Sequence, residues 1–214
     1  MKTIVAFVAA LAVAAPLAAQ TRRSTEPLVS LRAFFVAADE QFAAKTTFSG
    51  VLGSSMGTFV GGGAQVVFRD GAYVEVSGSR FQKSGQRAFF NNGQTFSVGI
   101  PLTASLTPIE ASAGYRFRLQ KHQTIIPYVA AGVGQCHYKE SSTGSDPGED
   151  VDASHVGYVA NTGVEFRVHR WVGLSIDAQY THIPGILGLG GISKDAGESD
   201  LGGYAARFKV IVGR

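Results

Sequence analysis

The chain has 214 residues, of which 27 are glycine and 16% are charged. Its 19 Lys and Arg residues nearly balance its 16 Asp and Glu residues, which argues against nucleic acid as a partner. Cys136 is the only cysteine, which excludes an internal disulfide and favours a small buried or lipid-facing thiol over a catalytic one.

The chain opens with the pattern of a signal peptide. A basic start at Lys2 precedes an apolar run over residues 4–17, and small residues follow up to Ala19. The uncharged run is shorter than the roughly 20 apolar residues that a transmembrane helix needs. We therefore predict an exported protein with a signal peptide at residues 1–19 and a polar lead-in at residues 20–30.

Residues 31–214 are predicted to form one all-β domain, because apolar and polar residues alternate with a period of two in eight runs. The clearest pair of runs lies within residues 155–183, where a tight break at 169–171 indicates an antiparallel hairpin. No convincing amphipathic helix follows the leading segment. In chain order, the predicted strands cover residues 31–42, 59–68, 72–81, 103–118, 125–139, 155–168, 172–183 and 201–213.

The connections between these strands alternate strictly between short and long. The short ones lie at residues 69–71, 119–124 and 169–171, and the long ones at 43–58, 82–102, 140–154 and 184–200. This alternation places every long loop at one end of an up-and-down meander. Bacterial outer-membrane barrels have this asymmetry together with an even number of strands.

Two kinds of barrel fit such alternation: a soluble lipocalin-like ligand binder, and a membrane barrel with an apolar outer surface. The charged face also carries small residues such as Gly114, Gly163 and Ser175, which would build a poor apolar core. Aromatic residues such as Trp171 and Phe208 fall near strand ends, as interfacial girdles require. We therefore predict an eight-stranded antiparallel up-and-down transmembrane β-barrel, with the soluble barrel as an alternative.

Four segments carry a resemblance to a known family. They are TPIEASAGYRF at 107–117, IIPYVAAGVG at 125–134, GVEFRVHRWVGLSIDAQY at 163–180 and DLGGYAARFKV at 200–210. They resemble strands of the small eight-stranded outer-membrane barrels, the group that includes the OmpA transmembrane domain, OmpX and the opacity-type proteins. The resemblance implies a place in the outer membrane of a Gram-negative-type cell, with outer-membrane lipids and lipopolysaccharide as partners.

The resemblance also implies insertion by the barrel-assembly machinery, with one departure from the usual pattern. Such barrels usually end on an aromatic residue that this machinery reads, whereas here Phe208 is set back from Arg214.

An eight-stranded barrel has a lumen just wide enough for side chains to fill. Because an unpaired charge inside it would be costly, we predict a network of paired charges there. The predicted members are Glu75, Glu110, Arg116, Glu165, Arg167, Asp177, Arg207 and Lys209. A filled lumen favours a structural or surface-interaction role, and a narrow gated channel is the alternative.

Reactive side chains give little support for an enzyme. The five histidines lie on different runs or turns without zinc-binding spacing, and no metal or cofactor site is predicted. They are His122, His137, His155, His169 and His182. Asp152, Ser154 and His155 would suit a lipid-A-modifying hydrolase, but neighbours in sequence do not establish a triad. We therefore predict that the protein is not an enzyme.

Two long loops are candidate binding segments, because loops on a rigid scaffold commonly carry binding. Residues 141–154 are acidic, and their carboxylates could bind a divalent cation that bridges lipopolysaccharide, although the ordered calcium-loop pattern is missing. Residues 185–192 are apolar for an external loop. They are expected to fold over the barrel mouth, to line an adhesive patch or to pack against a neighbouring loop.

Overall fold

The computed structural model describes residues 27–91, 94–118, 123–142, 151–188 and 191–213. The predicted signal peptide lies outside these residues, as do His122 and residues 143–150 of the acidic candidate loop at 141–154.

Eight antiparallel strands form a closed barrel in which each strand pairs with its neighbours in sequence. They are β1 (Val29–Phe42), β2 (Met56–Phe68), β3 (Ala72–Asn91), β4 (Gln94–Arg116), β5 (Ile125–Ser142), β6 (Val151–His169), β7 (Val172–Ile183) and β8 (Leu201–Gly213). The first and last strands close the barrel, with Phe35 opposite Val210. The predicted fold class is confirmed, and the short turns all lie at the end opposite to the long connections.

Side chains alternate between the lumen and the outer surface along every strand. The outer surface carries a band of exposed apolar residues that includes Val74, Val76, Ile109, Val129, Val133, Ile176, Phe208 and Val212. Aromatic residues flank this band, with Tyr158, Tyr180 and Tyr204 toward the long connections and Phe68, Phe117, Phe166 and Trp171 toward the short turns. Charged residues are buried inside. This polarity fits a membrane barrel and not a soluble one.

The prediction of a long loop at residues 82–102 was wrong. The strands β3 and β4 continue through this region as a hairpin that extends beyond the other strands, and Phe89 lies opposite Phe96 with their rings stacked at 5.2 Å. A register shift between Gln86 and Ala88 interrupts the pairing. Cross-strand side-chain pairs stabilise such a hairpin without a buried face, so it leaves a weaker periodic pattern than the barrel strands do.

Two short helices also correct the expectation that none would follow the leading segment. Helix α1 (Lys45–Leu52) lies between β1 and β2, and helix α2 (Gly191–Asp195) lies between β7 and β8. Gly53, with φ of 71°, ends α1 in the left-handed conformation that glycine tolerates best. Neither helix, nor any other helix in the described ranges, is long and apolar enough to span a membrane.

The lumen is divided into two chemically different parts. Toward the long connections it holds an apolar core, in which the rings of Phe42 and Phe48 stack at 4.0 Å. The apolar loop after β7 folds over this mouth, because Ile186 and Leu187 are buried in the same core and Ile192 is buried as well. Most strands are longer than the roughly 9–11 residues needed to cross a bilayer, so this end of the barrel extends beyond the membrane into water. There, burial of apolar side chains inside the barrel is favourable.

Candidate functional site

The half of the lumen toward the short turns contains buried ionic and polar side chains. Lys209 Nζ lies 2.8 Å from Glu75 Oε1, and Gln65 Nε2 donates a hydrogen bond to the same carboxylate. The ammonium group also lies 4.8 Å from the centroid of the Phe34 ring, a favourable cation–π distance.

A second cluster centres on Asp177. Its carboxylate accepts hydrogen bonds from Arg207 Nε and from the hydroxyl of Tyr128, the latter at 2.6 Å. Arg207 also donates to Gln179 Oε1, and Gln179 Nε2 donates to Glu110 Oε1 at 2.9 Å. These hydrogen bonds offset part of the cost of removing the polar groups from water, although Arg207 Nη2 is buried without a hydrogen-bond partner among the described residues.

The third cluster lies nearest the short turns. Glu165 accepts hydrogen bonds from two guanidinium groups, from Arg32 Nη1 at 3.0 Å and from Arg116 Nη2. Arg32 was missed at the level of sequence because the alternation in β1 is blurred around Phe34 and Phe35. The strand alternation itself could have identified Arg32, because residues two positions apart share a face and Phe34 and Val36 on that face are buried.

Seven of the eight residues predicted for the lumen make side-chain contacts in these clusters. They are Glu75, Glu110, Arg116, Glu165, Asp177, Arg207 and Lys209. Arg167 is half-buried in the mouth and makes no ion pair with a described residue. The role of these residues in the protein stays a prediction.

A void of about 40 Å³ separates the clusters from the apolar core, with Glu40, Cys136 and Arg207 in its wall. This volume is enough for a few water molecules. Cys136 is a buried thiol of the lumen and not a lipid-facing one.

A larger cavity of about 490 Å³ lies at the end with the long connections, between α1 and the extended β3–β4 hairpin. Most of its lining is apolar and includes Phe48, Val51, Leu52, Val98, Ile100 and Leu102. Its charged lining residues are Arg87 and Glu140. A cavity of this size and chemistry is within the range of small-molecule sites.

Glu198, in the loop between β7 and β8, connects this loop to α1 through hydrogen bonds. Its carboxylate accepts hydrogen bonds from the backbone N–H groups of Thr46 and Thr47 at 2.9 and 2.8 Å, and from the Thr47 hydroxyl at 2.7 Å. Partial burial opposes ionisation, but these hydrogen bonds prevail and lower the pKa of Glu198. A carboxylate at a helix N-terminus is also favoured by the helix dipole.

The candidate hydrolase residues are separated by the barrel wall. Ser154 lies on the outer surface opposite His137, whereas His155 points toward the lumen opposite Cys136. Ser154 Oγ lies 3.0 Å from His137 Nδ1, and His137 Nε2 lies 3.5 Å from Asp152 Oδ1. Sequence reasoning missed His137 because cross-strand register, and not sequence distance, brings it to Ser154. No group of three or more potential metal ligands occurs in the described ranges.

Comparison with known proteins indicates the same architecture. A family model described as the outer membrane protein beta-barrel domain matches residues 5–209. No curated protein matches the chain. The structure of the Neisserial surface protein NspA is similar at 17% identity, covering 87% of this chain and 96% of that one, with a TM-score of 0.52.

Two further solved structures are similar at lower scores. Ail of Yersinia pestis, in complex with the heparin analogue sucrose octasulfate, has 13% identity, coverage of 86% and 96%, and a TM-score of 0.49. The N-terminal barrel domain of Pseudomonas aeruginosa OprF has 12% identity, coverage of 86% and 97%, and a TM-score of 0.48. At such identities, structural likeness indicates the fold and not the activity.

Proposed function

The chain belongs to the outer membrane protein β-barrel family, and we propose that it is a non-conducting, non-enzymatic surface-interaction protein of the outer membrane. In this proposal residues 1–19 direct export, the barrel-assembly machinery inserts the chain, and lipopolysaccharide and phospholipid surround the apolar band. The long connections face outward and the short turns face the periplasm, as in other outer-membrane barrels.

The observation that carries the proposal is a lumen closed by two barriers in series. The ionic clusters lie across the half toward the short turns, and the apolar core around Phe42 lies across the other half. The void of about 40 Å³ between them has room for only a few waters. Binding at the outer end is therefore better supported than passage through the barrel.

The surface interaction is assigned to the cavity of about 490 Å³ at the outer end. Its apolar lining favours an apolar ligand, and Arg87 and Glu140 would select a ligand that also carries a polar group. The test is titration of a fluorescent fatty acid into the protein in lipid nanodiscs. Ala88→Trp, which fills the cavity, should reduce the affinity, whereas Ala131→Trp on the lipid-facing surface should leave it unchanged.

Equal binding by both variants would overturn this assignment. Planar-bilayer recordings test the closed lumen separately, and no large ohmic conductance is expected from the wild type. A large, permanently open conductance would instead favour the channel.

A second candidate function, lipid-A deacylation, is favoured by the contact between Ser154 and His137. Ser154 Oγ would attack an ester carbonyl while His137 takes its proton and returns it to the leaving alkoxide, and water would then hydrolyse the acyl-enzyme. This candidate predicts that purified protein releases fatty acid from lipid A. Ser154→Ala and His137→Ala would abolish the release and the lumen-facing His155→Ala would preserve it. The primary proposal predicts no release.

A further inference from the structure

The mouth of the barrel at the short turns contains a strongly basic cavity of about 300 Å³. Among the described residues, five arginines line it, against a single carboxylate, that of Glu165. The arginines are Arg32, Arg69, Arg118, Arg167 and Arg170. His169 also contributes to the wall. The described lining residues therefore carry an excess of four positive charges, five from arginine less one from glutamate.

In the deepest part of this cavity, positive charge exceeds negative charge. Glu165 is already shared between Arg32 and Arg116, so two buried guanidinium groups face one carboxylate. The side chain of Arg32 is only 9% exposed, and its Nε and the Nη1 of Arg116 have no hydrogen-bond partner in the described part of the chain. Because an uncompensated buried charge is costly, this arrangement favours a bound anion.

The outer part of the cavity adds further positive charge. Arg167 is half-buried, lines the cavity and makes no ion pair with a described residue. Arg69 lies exposed on the turn between β2 and β3, and Arg170 on the turn between β6 and β7, where both line the cavity. A concave site of one charge sign with low-dielectric walls focuses its field and concentrates ions of the opposite sign.

We propose that this mouth is a binding site for a phosphate-bearing ligand on the periplasmic side of the outer membrane. Guanidinium groups bind phosphate oxygens through paired, charge-assisted hydrogen bonds, and several arginines around one cavity suit a dianion. The volume exceeds that of a single phosphate, which leaves room for the organic part of a phosphate ester. The phosphate could come from a soluble ester or from a phospholipid head group of the inner leaflet.

Trp171 gives a direct optical readout, because it is the only tryptophan of the chain and Arg170 lies over its ring. The experiment titrates pyrophosphate into the full-length protein in a micelle of uncharged glycoside detergent, with sodium chloride at matched ionic strength as reference. We expect a saturable change in Trp171 fluorescence and a higher unfolding temperature with pyrophosphate only.

Arg167→Gln should weaken pyrophosphate binding by about tenfold or more, the usual effect of losing one charge-assisted hydrogen bond. Arg69→Gln, on an exposed turn, is a second variant that should fold normally and bind more weakly. Arg80→Gln, exposed on the outer face of β3 where that strand pairs with β2, is the matched control and should bind like the wild type. A response no larger than that to chloride, or equal affinity in Arg167→Gln, Arg69→Gln and the wild type, would overturn the proposal.

Vesicles distinguish the two sources of phosphate. The pyrophosphate titration is repeated in vesicles of phosphatidylglycerol and in vesicles of an uncharged glycolipid. A response that persists in both supports a soluble phosphate ester, whereas a response lost only in phosphatidylglycerol supports occupation by the lipid head group. Loss of the response in the glycolipid vesicles as well would contradict both sources.

Discussion

Lys209 and Glu75 meet across the lumen, with Nζ 2.8 Å from Oε1, although β8 and β3 are not neighbours in the barrel. Both side chains are almost fully buried. The contact therefore joins distant parts of the wall, and each charge depends on the other because little water reaches either.

Breaking this pair from one side should be much more damaging than replacing both partners. We expect Lys209→Met alone to lower the free energy of unfolding by about 3–5 kcal/mol, because it leaves a buried carboxylate without its cation. The double variant Lys209→Met with Glu75→Leu should recover most of that loss. Urea unfolding in detergent micelles measures both, with the exposed Asp39→Asn as control. Equal destabilisation by the single and double variants would contradict the pairing.

Much of this barrel could be predicted from sequence, because each strand in the membrane alternates strictly between apolar residues that face lipid and residues that face the lumen. Residues 172–183 and 201–213 were assigned with the bounds that the structure gives. The extension of β3 and β4 beyond residue 82 was missed, since a hairpin outside the bilayer has no lipid-facing side to impose a pattern. Helix α1 was missed for a related reason, because only Thr47, Phe48 and Leu52 of its eight residues are buried.

The candidate sites were less predictable, because each depends on register between strands. Parity assigned Glu165 and Asp177 to the lumen, but no pattern within one strand indicates that Arg32 on β1 reaches Glu165 on β6. The pairing of Ser154 with His137 likewise requires the alignment of β5 and β6. Single-strand periodicity predicts which face a residue occupies, and the shear of the closed barrel decides which partner it contacts.

The attachment of the outer loop to α1 should depend on pH through Glu198. Its pKa in the folded protein is lowered from 4.5, so the attachment is fully present above pH 4.5 and is lost as pH falls through the lowered value. Hydrogen exchange of the Thr46 and Thr47 amides, compared at pH 6 and at progressively lower pH, measures this loss.

Glu198→Gln removes the charge and should make exchange at Thr46 and Thr47 faster at pH 6 and nearly independent of pH after correction for intrinsic rates. Asp195→Asn, at an exposed position of the same loop, is the control and should behave like the wild type. Unchanged protection in Glu198→Gln would show that apolar contacts alone hold the loop.

The apolar core should contribute stability without being needed to close the lumen. Phe42→Ala removes a ring that stacks on Phe48 and should cost about 3–5 kcal/mol in urea unfolding. It should not produce a conducting barrel, because the ionic clusters around Glu75 and Asp177 stay in place on the other side. Ohmic conductance from Phe42→Ala in planar bilayers would assign the barrier to the core and not to the clusters.

The apolar band predicts where the bilayer surrounds the barrel. Val76 lies on the outer surface within this band, whereas Val156 lies beyond Tyr158 on the side of the long connections. We expect Val76→Arg to destabilise the folded barrel by about 2–4 kcal/mol, the effect of a cation near the bilayer midplane, and Val156→Arg by no more than about 1 kcal/mol. Urea unfolding in phospholipid vesicles compares these two substitutions, which are chemically identical. Equal losses would mean that the bilayer covers both positions or neither, because only depth in the membrane separates them.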